Sequence, residues 1–325
     1  MLSDVKSAPG MIVVRFTSGL GNQMYQYNLY RYLEEKYPEV RVKADLTWFY
    51  ANNDHHGFEL KRIFEGVSGS QFHLSEATLG EIYRCSGQIP VPIKGSLAKS
   101  ARFLLGPVNR KLREAGKPEK CGVTYDQLEG DIPFEAIDGI DTGRNYYIGG
   151  FFIEEHYYKD RVARLKRELI FPQVAKDDKA NLQMLEDIGK SDSVSVHVRR
   201  GDYLSSTYSG QFVALGQEYY RNAVGYIKEK IAEPKFFIFS DDPEYIREAF
   251  SWLDNKVIVD INSGDNSFRD MQLMANCKHN IIANSTFSQW AAILNDNAGH
   301  ITVYPQKYLT YEDSEEKTME GWIRL

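Results

Sequence analysis

Ser193 to Tyr203 reads SVSVHVRRGDY, a run of small and β-branched residues ending on two arginines, a glycine and an aspartate. Its first six residues have the composition of a buried strand, and the charged residues follow directly. Arg199, Arg200 and Asp202 therefore emerge where that strand ends. Charges crowded into one turn are costly to enclose without a partner. A guanidinium fork matches phosphate oxygens two at a time, and each charge-assisted bond contributes about 1.5–3 kcal/mol. His197 to Tyr203 is thus expected to hold the phosphates of an anionic ligand such as a nucleoside diphosphate. The plain alternative is an Arg–Asp pair internal to the chain. RGD is also a tripeptide of integrin ligands, a role that the rest of the chain does not match.

Helices and strands alternate on either side. Gln217 to Ile231 carries Tyr220, Val224, Ile227 and Ile231 on one helical face. Phe236 to Ser240 reads as a strand, and Asp242-Pro243 caps and starts the next helix. Residues 257–261, 281–283 and 301–304 read as further strands, with helices near 268–277 and 285–295. Such alternation implies a parallel sheet, whose ligands sit at the carboxyl ends of the strands. Towards the N-terminus, MIVVRF (Met11–Phe16), the glycine turn SGLGNQ (Ser18–Gln23) and a helical spacing of apolar residues from 20 to 37 spell strand, tight loop and helix. Residues 65–140 read as loops and short helices, with helical spacing near 99–114. An aromatic cluster, NYYIGGFFIEEHYY (Asn145–Tyr158), an amphipathic helix near 159–169 and a polar helix near 176–189 follow. The chain is α/β in both halves and is expected to divide into domains 1–180 and 181–325, with the chemistry in a cleft between them.

Composition sets the outer bounds. A chain of 325 residues holds two domains of ordinary size. A net charge of -6 argues against a general nucleic-acid binder, which needs a basic surface. Three cysteines without a CxxC pair give neither a disulfide framework nor a thiolate zinc site, and fit a reduced cytoplasm. The N-terminus lacks the pattern of a signal peptide, and no stretch approaches the roughly 20 apolar residues of a spanning helix. A cytoplasmic protein without a transmembrane segment is expected, with peripheral contact at the inner membrane face left open. The 21 Tyr and 17 Phe suit both sugar-lined sites and ordinary cores.

Three more segments are candidates. Gly19 and Gly21 of SGLGNQ permit close backbone approach, and the helix that follows offers free N–H groups to an anion. The third glycine of a dinucleotide fingerprint is missing. NSTFSQW (Asn284–Trp290) joins a strand to a helix, where hydroxyls and N–H groups bind phosphate or simply cap the helix. FSDD (Phe239–Asp242) superficially resembles a metal-holding acidic motif, but Asp242 before Pro243 is better read as a helix cap. The pair His55-His56 lacks metal-binding spacing. No metal site and no cofactor are expected.

GLGNQM (Gly19–Met24), HVRRGDY (His197–Tyr203), FSDD and NSTFSQWAAIL (Asn284–Leu294), in this order, resemble the α-1,2-fucosyltransferase family, especially its bacterial members. HHGFELKRIF (His55–Phe64) and GGFFIEEHYYKD (Gly149–Asp160) are similar to the family's acceptor-side half. The resemblance spans nearly the whole chain except roughly 65–140. It implies a GT-B-type architecture, two Rossmann-like domains facing across a cleft, with GDP-fucose bound mainly by the C-terminal one. It implies metal-independent transfer of fucose, with inversion, to a galactose 2-hydroxyl of a glycan acceptor. Arg199 and Arg200 inherit the diphosphate and His197 lies beside the nucleotide. Asp270, in RDMQLM, recognises the two donors on the guanine edge. Ser285, Thr286, Phe287 and Ser288 complete the phosphate cradle, and Asn22 faces the cleft. Asp202 is either the base for the acceptor hydroxyl or a brace for the arginines. Another linkage such as α-1,6, or a non-catalytic carbohydrate-binding protein, are the rival readings.

Overall fold

The structure is a computed structural model and describes residues 10–52, 56–114, 125–129, 133–201, 203, 212–313 and 317–325. The chain forms two compact units, the first ending at Leu169 and the second beginning at Ile170.

The first unit is built on a parallel sheet of β1 (Met11–Arg15), β2 (Arg41–Asp45), β3 (Tyr125–Glu129) and β4 (Asn145–Gly149), in the order β2-β1-β4-β3. β1 lies at its centre, and Met11 to Val14 are buried, as their unbroken apolar run requires. Helix α1 (Leu20–Lys36) starts immediately after Gly19. It buries Met24, Tyr25, Tyr27, Tyr30 and Leu33. The ring of Tyr27 stacks on those of Tyr30 and Phe72. Much of the tyrosine excess is therefore core packing. Helices α2 (Leu79–Ser86), α3 (Ser96–Glu114) and α4 (Val162–Glu168) complete the described frame of this unit, with single helical turns between them. The helical spacing near 99–114 corresponds to the 19-residue helix α3, and residues 65–140 also hold an edge strand that a reading as loops and short helices does not include. The aromatic cluster at 145–158 begins with strand β4, which pairs with β1.

The second unit carries a six-stranded sheet of β5 (Asp192–Val198), β6 (Pro234–Ser240), β7 (Lys256–Val259), β8 (His279–Ile281), β9 (Thr302–Tyr304) and β12 (Ile323–Arg324). All its pairings are parallel, in the order β12-β9-β8-β5-β6-β7. Strands β10 (Lys307–Leu309) and β11 (Glu312–Asp313) form a separate antiparallel ribbon. Helices α5 (Lys179–Gly189), α6 (Gln217–Lys230), α7 (Pro243–Ala249), α8 (Phe268–Asn276) and α9 (Thr286–Ile293) lie between the strands. Val194, Val196 and Val198 of β5 join Phe236 and Ile238 of β6 and the inner face of α6 in one buried cluster.

The unit boundary falls eleven residues before the break expected at 180/181, and the contacts show why. The Arg269 guanidinium donates to the carbonyls of Pro172 (2.6 Å) and Gln173 (3.3 Å), and Phe171 stacks on Phe268. These bonds hold the segment before α5 against α8. Among the described residues no helix is long and apolar enough to cross a membrane.

Candidate functional site

The strand order of the second unit locates the site. From β5 the chain steps outward through β6 and β7, then returns to the other side of β5 to lay down β8 and β9. The two directions part between β5 and β8. In a parallel α/β sheet this is where the loops leaving the carboxyl ends diverge and leave a crevice for a ligand. The loops on its rim are Arg199 to Gly201 after β5 and Ile282 to Ser285 after β8. They are the two segments singled out by sequence.

Two observations join them. The His197 ring at the end of β5 lies 5.8 Å from that of Phe287, in the first turn of α9. The Tyr203 hydroxyl donates to the Asn284 carbonyl at 2.7 Å. His197 is buried, and its carbonyl accepts the Tyr220 hydroxyl at 3.2 Å, which fixes the strand end. Asn284 is buried and donates to the carbonyls of Val213 and Tyr308. The start of α9 is thus anchored from behind, with its first N–H groups at the crevice. Ser285, Thr286 and Phe287 stand at this rim. Ser288 does not. Its hydroxyl is fully buried, accepts from the Ala283 N–H and donates to the Ser285 carbonyl, so it builds the turn instead of facing a ligand.

On the other side of β5 the register decides the geometry. His197 pairs with Phe239 and Val198 with Ser240. The next residues of the two strands therefore come side by side, arginines against aspartates. Arg199 Nη1 lies 3.2 Å from Asp241 Oδ2, and Arg200 Nε lies 3.4 Å from Asp242 Oδ2. The Asp241 carboxylate also accepts the backbone N–H of Arg200 (3.0 Å) and of Gly201 (3.1 Å). A Cβ at position 201 would stand 3.1 Å from Asp241 Oδ2, which is why a glycine suits this position. The Arg200 guanidinium carbon lies over the Tyr245 ring, 3.8 Å from its centroid. Asp242 caps α7 by accepting the Tyr245 N–H, as its place before Pro243 predicts. Both carboxylates of FSDD are therefore committed to the arginine loop and to the helix.

Asp241 is the residue that sequence reading missed. FSDD resembles a metal-holding motif in sequence, yet aligning HVRR with FSDD at the ends of two adjacent parallel strands places Arg199 beside Asp241. Replacing Asp241 by Asn keeps its shape but removes the charge and one of the loop's acceptors. Asp241→Asn is expected to lower kcat about 10- to 100-fold and to destabilise the fold by about 1–2 kcal/mol. Steady-state kinetics beside a thermal melt would show both, and full activity with an unchanged melt would remove the bracing role. Asp202, expected as base or brace, lies outside the described residues.

Asp270 sits in the first turn of α8, after β7 and so at the same edge of the sheet. Its Oδ1 accepts the Asn262 amide at 2.7 Å. Asn262 and Asn181 exchange two amide bonds, and Asn181 donates on to Asp178, the cap of α5. Among the described residues only Oδ1 of Asp270 is engaged, so Oδ2 is left for a ligand's donor. Burial pushes the Asp270 carboxyl up to about 7, against the Asn262 bond, which favours the charged form. A carboxyl held this far from its ordinary range is a functional candidate on physical grounds.

Asn22 belongs to the first unit, in the first turn of α1, and is partly exposed. The loops around it are braced by two buried glutamines. Gln23 donates to the carbonyls of Ser18 and Gly57 and accepts the Glu59 N–H. Gln26 donates to the Gly150 carbonyl and accepts the Thr17 N–H. Ser18, His56 and Phe152, on these loops, have positive φ without being glycine. Such strain persists only where the surroundings fix it.

Residues 122–325 match the model of glycosyl transferase family 11. An alpha-1,2-colitosyltransferase of Escherichia coli is 30% identical over 322 residues, covering 97% of this chain and 99% of the relative. The chain belongs to glycosyl transferase family 11. A second relative, galactoside alpha-(1,2)-fucosyltransferase 1 of Saimiri sciureus, is 35% identical over 135 residues, 38% of this family 11 chain and 33% of the relative. The crystal structure of fucosyltransferase NodZ from Bradyrhizobium superposes with a TM-score of 0.52 at 14% identity, covering 88% of this chain and 93% of that one. That likeness speaks for the fold alone. With its two parallel-sheet units, this family 11 glycosyltransferase has the GT-B type of build that its sequence led us to expect.

Proposed function

We propose that this family 11 enzyme transfers fucose from GDP-fucose to the 2-hydroxyl of a galactose-containing glycan, with inversion and without a metal. The arrangement at the β5/β8 crevice carries the reading. Arg199 and Arg200 on the loop after β5 and the N-terminus of α9 after β8 flank the crevice where a diphosphate would lie, with His197 at the end of β5 and Asp270 at the same sheet edge for the guanine. Arg199 and Arg200 neutralise the diphosphate as it leaves, and stabilising a leaving group in this way is the largest contribution a metal-free site of this kind makes. The acceptor hydroxyl attacks the fucose carbon from the opposite face, and Asp202 takes its proton or steadies the arginines. The names of the relatives, α-1,2 in linkage and galactoside in acceptor, support the position and the sugar. Cytoplasmic placement, with the donor supplied in solution, belongs to the same proposal.

The full-length relative named for colitose gives a second reading. Colitose is fucose without its 3-hydroxyl, so both donors would use the same phosphate and guanine contacts. Assaying GDP-fucose and GDP-colitose against galactose-terminated glycans, with the linkage read by NMR, separates the two. Fucose transfer to O2 supports the proposal. Transfer of colitose alone, of fucose to O6, or of nothing at all overturns it.

Guanine recognition also has a pH signature. With its carboxyl near 7 in the donor-free protein, Asp270 must release a proton to accept both N1–H and the exocyclic amine. Below about pH 7 the Kd for GDP should therefore rise about tenfold per pH unit, and above it stay flat. Calorimetric titration with GDP from pH 5.5 to 8.5 checks this, and a flat profile would detach Asp270 from the base.

A further inference from the structure

Twelve large apolar side chains are exposed among the described residues, and eight of them lie between Leu79 and Val108. The densest part of the cluster is α3. Ala98, Ala101 and Leu105 turn one face of this helix onto Ala51, Tyr50 and Val91 of the first unit. Leu97, Leu104 and Val108 form a stripe at helical spacing on another face, and it points to solvent. Leu97 is 69% exposed, Leu104 71% and the neighbouring Phe103 82%. The segment before the helix runs alongside, because Asn109 exchanges two hydrogen bonds with the backbone of Ile89. A helix with one apolar face already buried and a second in water has an unmet partner.

Charge says what kind of partner. The chain carries a net -6, yet from Ile82 to Arg113 it has seven Arg and Lys residues and no Asp or Glu. Lys99, Arg110 and Lys111 on α3 are exposed, as is Lys94 just before it. Bulky apolar side chains flanked by bases, on a helix lying along the protein surface, match what settles at the boundary between headgroups and acyl chains. Each base near an anionic leaflet strengthens binding about fivefold.

We infer that α3, with Leu97, Phe103 and Leu104 as its insertion points and Lys99, Arg110 and Lys111 as its charges, docks the first unit onto an anionic lipid bilayer. This surface is independent of the donor reading. An acceptor borne on a lipid would be met at that bilayer, whichever sugar is transferred.

Flotation of the full chain with vesicles of phosphatidylcholine containing one quarter phosphatidylglycerol, against pure phosphatidylcholine, tests it. The wild-type chain should partition at least tenfold more strongly to the anionic vesicles, and less so as salt rises. Leu97→Ser/Phe103→Ser/Leu104→Ser and Lys99→Glu/Arg110→Glu/Lys111→Glu should each lose at least tenfold, with unchanged melting by circular dichroism because every altered side chain is exposed. No binding by the wild type, or binding that both variants keep, overturns the proposal. So does a wild-type dimer that the serine variant disperses while the vesicles stay empty, since a second copy of the chain would then be the occupant.

Discussion

Arg199→Ala is expected to lower kcat/KM for GDP-fucose by about 10²–10⁴. Arg199 directly follows β5, on the loop that rims the β5/β8 crevice, with its guanidinium beside Asp241, and two charge-assisted bonds to phosphate would contribute about 3–6 kcal/mol together. Most of that loss should fall on kcat, because the leaving diphosphate gains charge as the sugar bond breaks. The variant has a second consequence. It removes the counter-ion of Asp241 while leaving the two backbone N–H groups that this carboxylate accepts. The loop should therefore keep its path, and Arg199→Lys, with charge but no fork, should recover only part of the rate. Near-normal turnover by Arg199→Ala would remove the phosphate assignment, and with it the centre of the proposed site.

Asp270→Asn is expected to weaken GDP binding at least 100-fold while making the donor-free protein more stable at neutral pH. Asn offers one acceptor and one donor where guanine presents two donors, so one N–H of the base meets an N–H of the protein. The stability effect has the opposite sign. The carboxyl is raised from 3.8 to about 7 on folding. Its cost is therefore absent below about pH 4, grows as pH rises through the interval, and is complete above pH 7. Three units correspond to about 4 kcal/mol. Solvent reaches part of the residue and screens part of this, leaving roughly 1–3 kcal/mol. Melting curves at pH 4.5 and 8 should show Asp270→Asn and wild type close together at the lower pH and well apart at the higher. A variant that melts below wild type at pH 8, or binds GDP normally, would show that the carboxylate serves the fold alone.

The two halves of the chain were unequally legible. β6 announces itself because an unbroken apolar run (FFIF) has nowhere to lie but a buried sheet, and β5 because small and β-branched residues (SVSV) fit the same place. β2 (RVKAD) and the edge strand β3 (YDQLE) do not, since too few of their residues are apolar to show a pattern. β4 was hidden by its own aromatics, NYYIG, which read as a cluster before they read as a strand. Helix α2 carried a readable signal that went unused. Thr78 and Glu81 form a capping box, with Thr78 accepting the Glu81 N–H and Glu81 accepting the Thr78 N–H. In the site, the arginine loop and the Asp242 cap follow from local rules. The Asn181–Asn262–Asp270 chain does not, because it joins residues 81 positions apart and only the folded sheet brings them together.

The bond between Arg199 and Asp241 changes what recognition at this crevice means. A bare guanidinium would seize any phosphate that drifted in and release it slowly. Here the carboxylate keeps the seat occupied, so under the proposed function an entering diphosphate would win Arg199 by exchange, one anion for another. The gain is the difference between two partners and not the whole of either. Asp241 is fixed independently by the N–H groups of Arg200 and Gly201, so on the proposed function it would stand ready to reclaim the arginine as a spent nucleotide departs. What binds the loop together would then also be what clears it for the next donor.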